Sequence, residues 1–342
     1  MNRMASDWND SMLSEPQELA AGIQIPNTTT DGADLSSFPA EIYESIIDQL
    51  ADSPNALRRC ALVCRLFAQR AQMLFFSYIS LERPTKPTRS RSHLWPSMRF
   101  LQLLSTSSHL AGYVKSLKIS DEDPLQVYRE ELSWICKDQA VPQILPLLVN
   151  VEKLQLSGTP RGSSLDVRTW GDNLYMGIME RCASEGLVAL NLLRVRNIPL
   201  SVLGLAPRLQ TLELTQVFFA PEFNDRASVG ESSTPEEQKK SHPPARLEFL
   251  SVASTCHEWR TFYHHVHLDL AHIKDLTFQI EFEDVTEEEA KEGLQAISEL
   301  LCGCSATLKK LWFLIPDECK FLSIHLTNII LTTHASPVRF HK

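Results

Sequence analysis

The densest group of side chains able to hold a metal or move a proton is His264-His265-Val266-His267, with Glu258, Asp269 and His272 close by in the chain. On a helix His264 and His267 share one face, which would allow a weak zinc or nickel site. The His-Glu-x-x-His pattern of a helical zinc hydrolase is missing, and a solvated helix face accounts for the same residues. The cysteines are no better arranged. Cys302-Gly303-Cys304 encloses a single residue where a zinc knuckle encloses roughly two to four, and no matching pair follows. Cys60 and Cys64 lie in an apolar helical pattern beside Leu57 and Ala61, while Cys136, Cys182, Cys256 and Cys319 are isolated. In a reducing compartment such residues act as small buried apolar groups. There is no Gly-rich phosphate loop, no Gly-x-Ser-x-Gly elbow and no local Cys–His pair. Glycine, at 12 residues, is scarce for a nucleotide site. The expectation is a protein that is not an enzyme and needs no metal or cofactor.

Composition sets the bounds. The chain has 342 residues, a 43% hydrophobic content and a formal net charge of -9. That size accommodates two domains, or one with appendages. The negative balance argues against a general nucleic-acid binder, whose affinity rests on neutralising phosphates. The first residues are polar and acidic, with Asp7 and Asp10, and do not resemble a secretory signal. No stretch approaches the ~18 apolar residues that span a bilayer. A soluble protein of the cytoplasm or nucleus is expected, with neither nucleic acid nor membrane as partner.

Polar segments punctuate the chain. Residues 1–35 lack periodicity and are expected to be disordered. Residues 36–82 hold a compact apolar helical motif. Residues 83–97 contain three prolines with Lys86, Arg89 and Arg91 and suit a connector. Residues 98–342 form the remaining domain. Residues 228–245, with Ser232-Ser233-Thr234-Pro235 and His242-Pro243-Pro244, read as a polar loop insertion, because the same pattern resumes beyond them.

The helical motif is too apolar for its length. Phe38-Pro39 opens a helix whose Ile42, Ile46 and Leu50 stack at i, i+4, with Tyr43 and Ile47 widening the stripe. Ser53 and Pro54 open a second helix running through Leu57, Leu62, Val63 and Phe67. A third, Ala71 to Ile79, is apolar nearly all round and must be buried on more than one side. The stretch resembles an F-box, carried by Phe38-Pro39, Glu41, Ile46-Ile47, Leu50, Leu57 and Leu62-Val63-Cys64-Arg65. Phe38 stands where that family usually has Leu, and Phe67 where it has Trp. The resemblance implies docking on the Skp-type adaptor of a cullin–RING ubiquitin ligase. Its contact residues would be Phe38, Pro39, Ile42, Ile46, Leu57, Leu62, Val63 and Phe67. Arg58, Arg59, Arg65 and Arg70 would suit an acidic adaptor or simply face solvent.

A second pattern fills the rest. Seven segments fit apolar-x-x-apolar-x-apolar: Val114/Leu117/Ile119, Val151/Leu154/Leu156, Leu187/Leu190/Leu192, Leu209/Leu212/Leu214, Leu247/Leu250/Val252, Ile273/Leu276/Phe278 and Leu308/Leu311/Phe313. The last two apolar positions of each are two apart, the period of a strand with one buried face. Helical patterns alternate with them at 98–110, 124–140, 172–184, 257–271, 287–302 and 317–332. The fifth opens with a capping box, Thr286 and Glu289. Alternation of this kind predicts an α/β fold with parallel strands and helices on one side.

The array is similar to a leucine-rich repeat solenoid of irregular pitch, following the three-helix F-box. The Asn or Cys that usually follows the last strand leucine by three is replaced by Thr159, Val195, Val217, Thr255 and Glu281. A sheet with helices on both faces would need apolar residues between the strand leucines. Lys118, Gln155, Asn191, Glu213, Ser251, Thr277 and Trp312 stand there instead. With Phe249 they would form a concave, substrate-binding face. The resemblance implies a non-catalytic substrate receptor of an SCF-type ubiquitin ligase. Two alternatives are a leucine-rich-repeat scaffold with no ligase role, and a metal-dependent enzyme built on His264 to His272.

Overall fold

The computed structural model describes residues 39–83, 95–121, 133–159, 165–220, 245–266, 268–281 and 286–314. Phe38, His267, the 1–35 segment, most of 83–97 and of 228–245, and the 317–332 pattern lie outside them. The chain is α/β. Helices α1 (Ala40–Asp48), α2 (Pro54–Cys60) and α3 (Arg65–Phe76) come first, followed by strand β1 (Tyr78–Glu82). Next come α4 (Pro96–Thr106), β2 (Ser116–Ser120), α5 (Trp134–Lys137), α6 (Val141–Ile144) and β3 (Lys153–Ser157). Short β4 (Leu165–Asp166) precedes α7 (Asp172–Cys182), β5 (Ala189–Leu193), β6 (Val195–Ile198), α8 (Ser201–Gly204), β7 (Thr211–Thr215) and β8 (Phe218–Phe219). The described chain finishes with β9 (Phe249–Thr255), α9 (Cys256–His265), β10 (Asp275–Glu281), α10 (Glu287–Cys304) and β11 (Lys310–Leu314).

Eight strands form one parallel sheet in the order β1-β2-β3-β5-β7-β9-β10-β11, and β4-β6-β8 form a smaller one. All seven segments read as strands are strands of the large sheet. Its register aligns Leu117, Leu154, Leu190, Leu212, Leu250, Leu276 and Leu311 in one buried row. Ile119, Leu156, Leu192, Leu214, Val252, Phe278 and Phe313 make the next. Both rows share one core with Phe100, Ile144, Ile178, Trp259, Ile297 and Leu301 from the helices. The helices therefore cover the leucine face, where each fully buried aliphatic side chain contributes about 1.5–3 kcal/mol.

Repetition is clearer in the backbone than in the sequence. In the large sheet, the carbonyl of the residue before each strand accepts two N–H groups, from the residue before the next strand and from that strand's first residue. Ser77 O takes Lys115 and Ser116, Lys115 O takes Glu152 and Lys153, and Glu152 O takes Val188 and Ala189. The same bonds recur from Val188, Gln210, Glu248 and Lys274. Ion pairs reinforce two of these junctions, Lys115–Glu152 and Lys274–Glu248, each at 2.7 Å. Beyond the strands, Arg194 (φ 55°) and Gln216 (φ 51°) occupy matching left-handed turns. The next residues, Val195 and Val217, are buried. Their apolar side chains join the core, and the turns are also tied by backbone bonds in which Gly158, Arg194 and Gln216 N–H donate to the Leu193, Thr215 and Ala253 carbonyls.

The helical motif differs in detail from the sequence expectation. The second helix stops at Cys60, and Leu62 and Val63 fall in the turn before α3. The third runs from Arg65 to Phe76, and Tyr78 and Ile79 belong to β1. The motif thus ends inside the large sheet: Ile79 and Leu81 extend the two buried rows, pairing with Leu117 and Ile119. Strand β1, the end of the 36–82 segment, is therefore one of the eight strands of the large sheet.

Candidate functional site

Two surfaces hold the residues singled out by the sequence, one on the helical motif and one on the sheet. Helices α1–α3 enclose a small core of Ile47, Leu57 and Ala71, with Leu50, Cys60, Ala61, Phe67 and Leu74 packed around it. Arg70 ties α3 to α1 through two parallel hydrogen bonds to Asp48, both 2.7 Å. This contact holds the Asp48 carboxyl below its usual range, chiefly through the hydrogen bond from the guanidinium. Phe75 touches both this core and the sheet core, so the motif is packed on the sheet rather than tethered beside it.

With that inner face satisfied, the outer one remains strongly apolar. Among the described residues twelve large hydrophobic side chains are exposed, and seven lie between Ile42 and Tyr78. Ile42 and Ile46 stand one turn apart on α1, Leu62 is 87% exposed and Val63 67%. Pro39 is exposed at the start of α1. Leu66, not foreseen from sequence, joins them at the start of α3. Leu57 and Phe67 do otherwise. Leu57, expected at an adaptor contact, is 2% exposed inside the small core. Phe67 is half-buried, its ring 5.4 Å from that of Tyr43. Their work is to support the exposed side chains, because a bundle this small cannot spare them from its interior. Arg58 and Arg70 are likewise engaged internally, Arg58 over the Phe75 ring at 5.4 Å and Arg70 on Asp48.

On the sheet, Lys118, Gln155, Asn191, Glu213, Ser251, Thr277 and Trp312 occupy a single register row on the face opposite the leucines. Ser80 of β1 extends it. Phe249 lies in the neighbouring row, aligned with Thr211 and Asp275. The residues are half-buried or exposed, with Trp312 at 36%. The Asn191 amide donates to Glu213 at 2.5 Å, Lys118 approaches Glu82 at 3.7 Å, and Lys310 approaches Asp275 at 3.4 Å. Lys153, in the same row as Phe249, is exposed and makes no ion pair among the described residues.

Of the histidines singled out by the sequence, the side chains of His264 and His272 are described. His264 lines an open hollow of about 310 Å³ with Tyr263, Glu299 and Gly303 between α9 and α10. His272 lies 3.3 Å from Asp269 and 2.7 Å from an Arg246 nitrogen. Among the described residues no three His, Cys, Asp or Glu side chains are placed to share a metal ion. Cys182 and Cys304 are buried, and burial pushes their thiols up to about 12 and about 11. A thiol so raised stays protonated and is a poor nucleophile. No helix among the described residues is long and apolar enough to cross a membrane.

Compared with known protein families and with curated proteins, the sequence matches none.

Proposed function

We propose that this chain is a non-catalytic substrate-recognition subunit of an SCF-type ubiquitin ligase. The F-box-like helices α1–α3 dock on the Skp-type adaptor, and a leucine-rich-repeat-like solenoid, with helices outside and its polar sheet face concave, holds a protein substrate. The observation that carries this reading is the division of labour within α1–α3. Leu57, Ile47 and Phe67 hold the bundle together, while Ile42, Ile46, Leu62, Val63 and Leu66 present large apolar groups outward. An apolar surface this concentrated is the property of a protein that is normally covered by a partner. The sequential parallel strands and the repeated junction bonds support the solenoid.

The chain itself makes and breaks no bond in this reading. It raises the effective concentration of a substrate lysine near a charged conjugating enzyme held elsewhere in the assembly. Co-expression with the Skp-type adaptor tests it. The intact chain is expected to elute with the adaptor as one stoichiometric complex, and Ile46→Asp, which would bury a charge on docking, is expected to abolish it. Absence of a complex with the intact chain would overturn the reading and leave a repeat scaffold.

A further inference from the structure

The sheet face is not uniform, and its gradient specifies what it holds. Near one end stands Lys153, exposed and without an ion-pair partner among the described residues, with Lys118 on the adjacent strand. At the other, Phe249 on β9, aligned with Asp275, and Trp312 on β11, aligned with Thr277, bracket β10 diagonally. Between them the floor is low, since Ala189, Thr211 and Ser251 carry short side chains. The Asn191–Glu213 pair crosses this floor, and carboxylate and amide oxygens have further acceptor capacity for main-chain N–H groups.

We infer that this face binds an extended peptide segment of a partner protein, its acidic side chain set on Lys153 and a large apolar one, about six residues away, seated over Thr277 between Phe249 and Trp312. The inference rests on the receptor reading above and names the substrate chemistry of that same surface. The spacing follows from the sheet. Four strand steps separate β3 from β10 in the order β3-β5-β7-β9-β10. At about 4.8 Å per step that is about 19 Å, and an extended chain covers it in about six residues at about 3.3 Å each. A low floor admits a main chain lying across the strands, and a folded convex surface would meet the Lys153 and Trp312 side chains first. Charge complementarity selects the acidic end, and exposed aromatics are the usual apolar anchors of an interface.

The test is selection of a phage-displayed library of random dodecapeptides on the full-length chain, followed by fluorescence anisotropy with the enriched peptides. Enriched sequences are expected to carry Asp or Glu five to seven residues from Leu, Ile, Phe or Trp. Lys153→Glu is expected to weaken them at least tenfold. The same peptide with its acidic residue changed to Lys should regain affinity for Lys153→Glu, a rescue that a merely unfolded variant cannot give. Trp312→Ala should weaken binding with little dependence on salt, whereas the Lys153 contribution should fade as ionic strength rises. No enrichment, enrichment without that spacing, or binding indifferent to both variants overturns the inference. Adaptor co-elution measured on the same preparations separates the two claims: peptide binding without adaptor binding sinks the ligase reading alone, and the reverse result sinks this one.

Discussion

Ile46 and Ile47 are adjacent on α1, yet Ile46 is 54% exposed and Ile47 1%. Successive helical residues point about 100° apart, so the helix splits the pair between an outer face and the core of the bundle. Ile47→Ala should cost about 2–5 kcal/mol of stability through the cavity it leaves. Ile46→Asp in the isolated chain should change stability by no more than about 0.5 kcal/mol, as exposed substitutions do. Denaturant unfolding of both variants, beside adaptor co-elution, checks this. If Ile46→Asp unfolds the bundle as Ile47→Ala does, Ile46 is a core residue and the docking face is misplaced.

The Asp48–Arg70 contact predicts an acid-side stability difference. The folded carboxyl titrates below its unfolded value, so the stabilisation is fully present above the unfolded pKa of about 3.9. It is lost as pH falls through the lower folded value. Asp48→Asn should therefore be less stable than the parent at neutral pH, with the gap closing on acidification and narrowing in high salt. Thermal midpoints across pH 2 to 7, about the range of carboxylate titration, would show a constant gap if the pair contributes nothing.

Two glycines should respond in opposite directions. A Cβ at Gly158 would fall 2.4 Å from the Arg194 carbonyl oxygen and 2.9 Å from the Leu165 nitrogen. Both are backbone atoms of neighbouring turns and cannot rotate away, so Gly158→Ala should cost about 1–3 kcal/mol. At Gly303, in the last turn of α10, an added methyl would have nothing within 4 Å. Gly303→Ala should stabilise by about 0.5–1 kcal/mol by restoring helix propensity. Equal and small shifts in melting temperature would contradict the close approach at Gly158.

Thiol reactivity should follow burial. Iodoacetamide at neutral pH should modify exposed Cys64 within minutes while Cys182 and Cys304 stay protected until the chain unfolds. Because the Cys182 thiol is raised from 9.0 to about 12 in the folded protein, its linked stabilisation is complete below pH 9.0 and declines toward about pH 12. Peptide mass spectrometry after timed alkylation reads the order directly. Early labelling of Cys182 would mean that α7 opens far more readily than its packing implies.

Much of this protein follows from local spacing alone. Each of the seven strands is legible because its apolar residues recur two apart, and the Thr286–Glu289 capping box forms as its residue types demand, the Thr286 hydroxyl accepting from the Glu289 N–H at 3.3 Å. The row from Lys118 to Trp312 is also readable, since the residue between two buried leucines of a strand must face the other way. What spacing could not supply was set by contacts distant in sequence. Tyr78–Glu82 looks like the tail of an apolar helix, and becomes a strand because the open edge of β2 offers its backbone a ladder. Strands β4, β6 and β8 are two to four residues long, too short for any period to register, and exist only because neighbouring turns stack. Leu57 and Leu62 are the same residue type in one apolar run, and only packing of α2 on α3 puts one inside and leaves the other in water. Residue order alone sets which side chains are apolar and at what period. Packing selects which of them the small bundle encloses, because its interior has room for only a few.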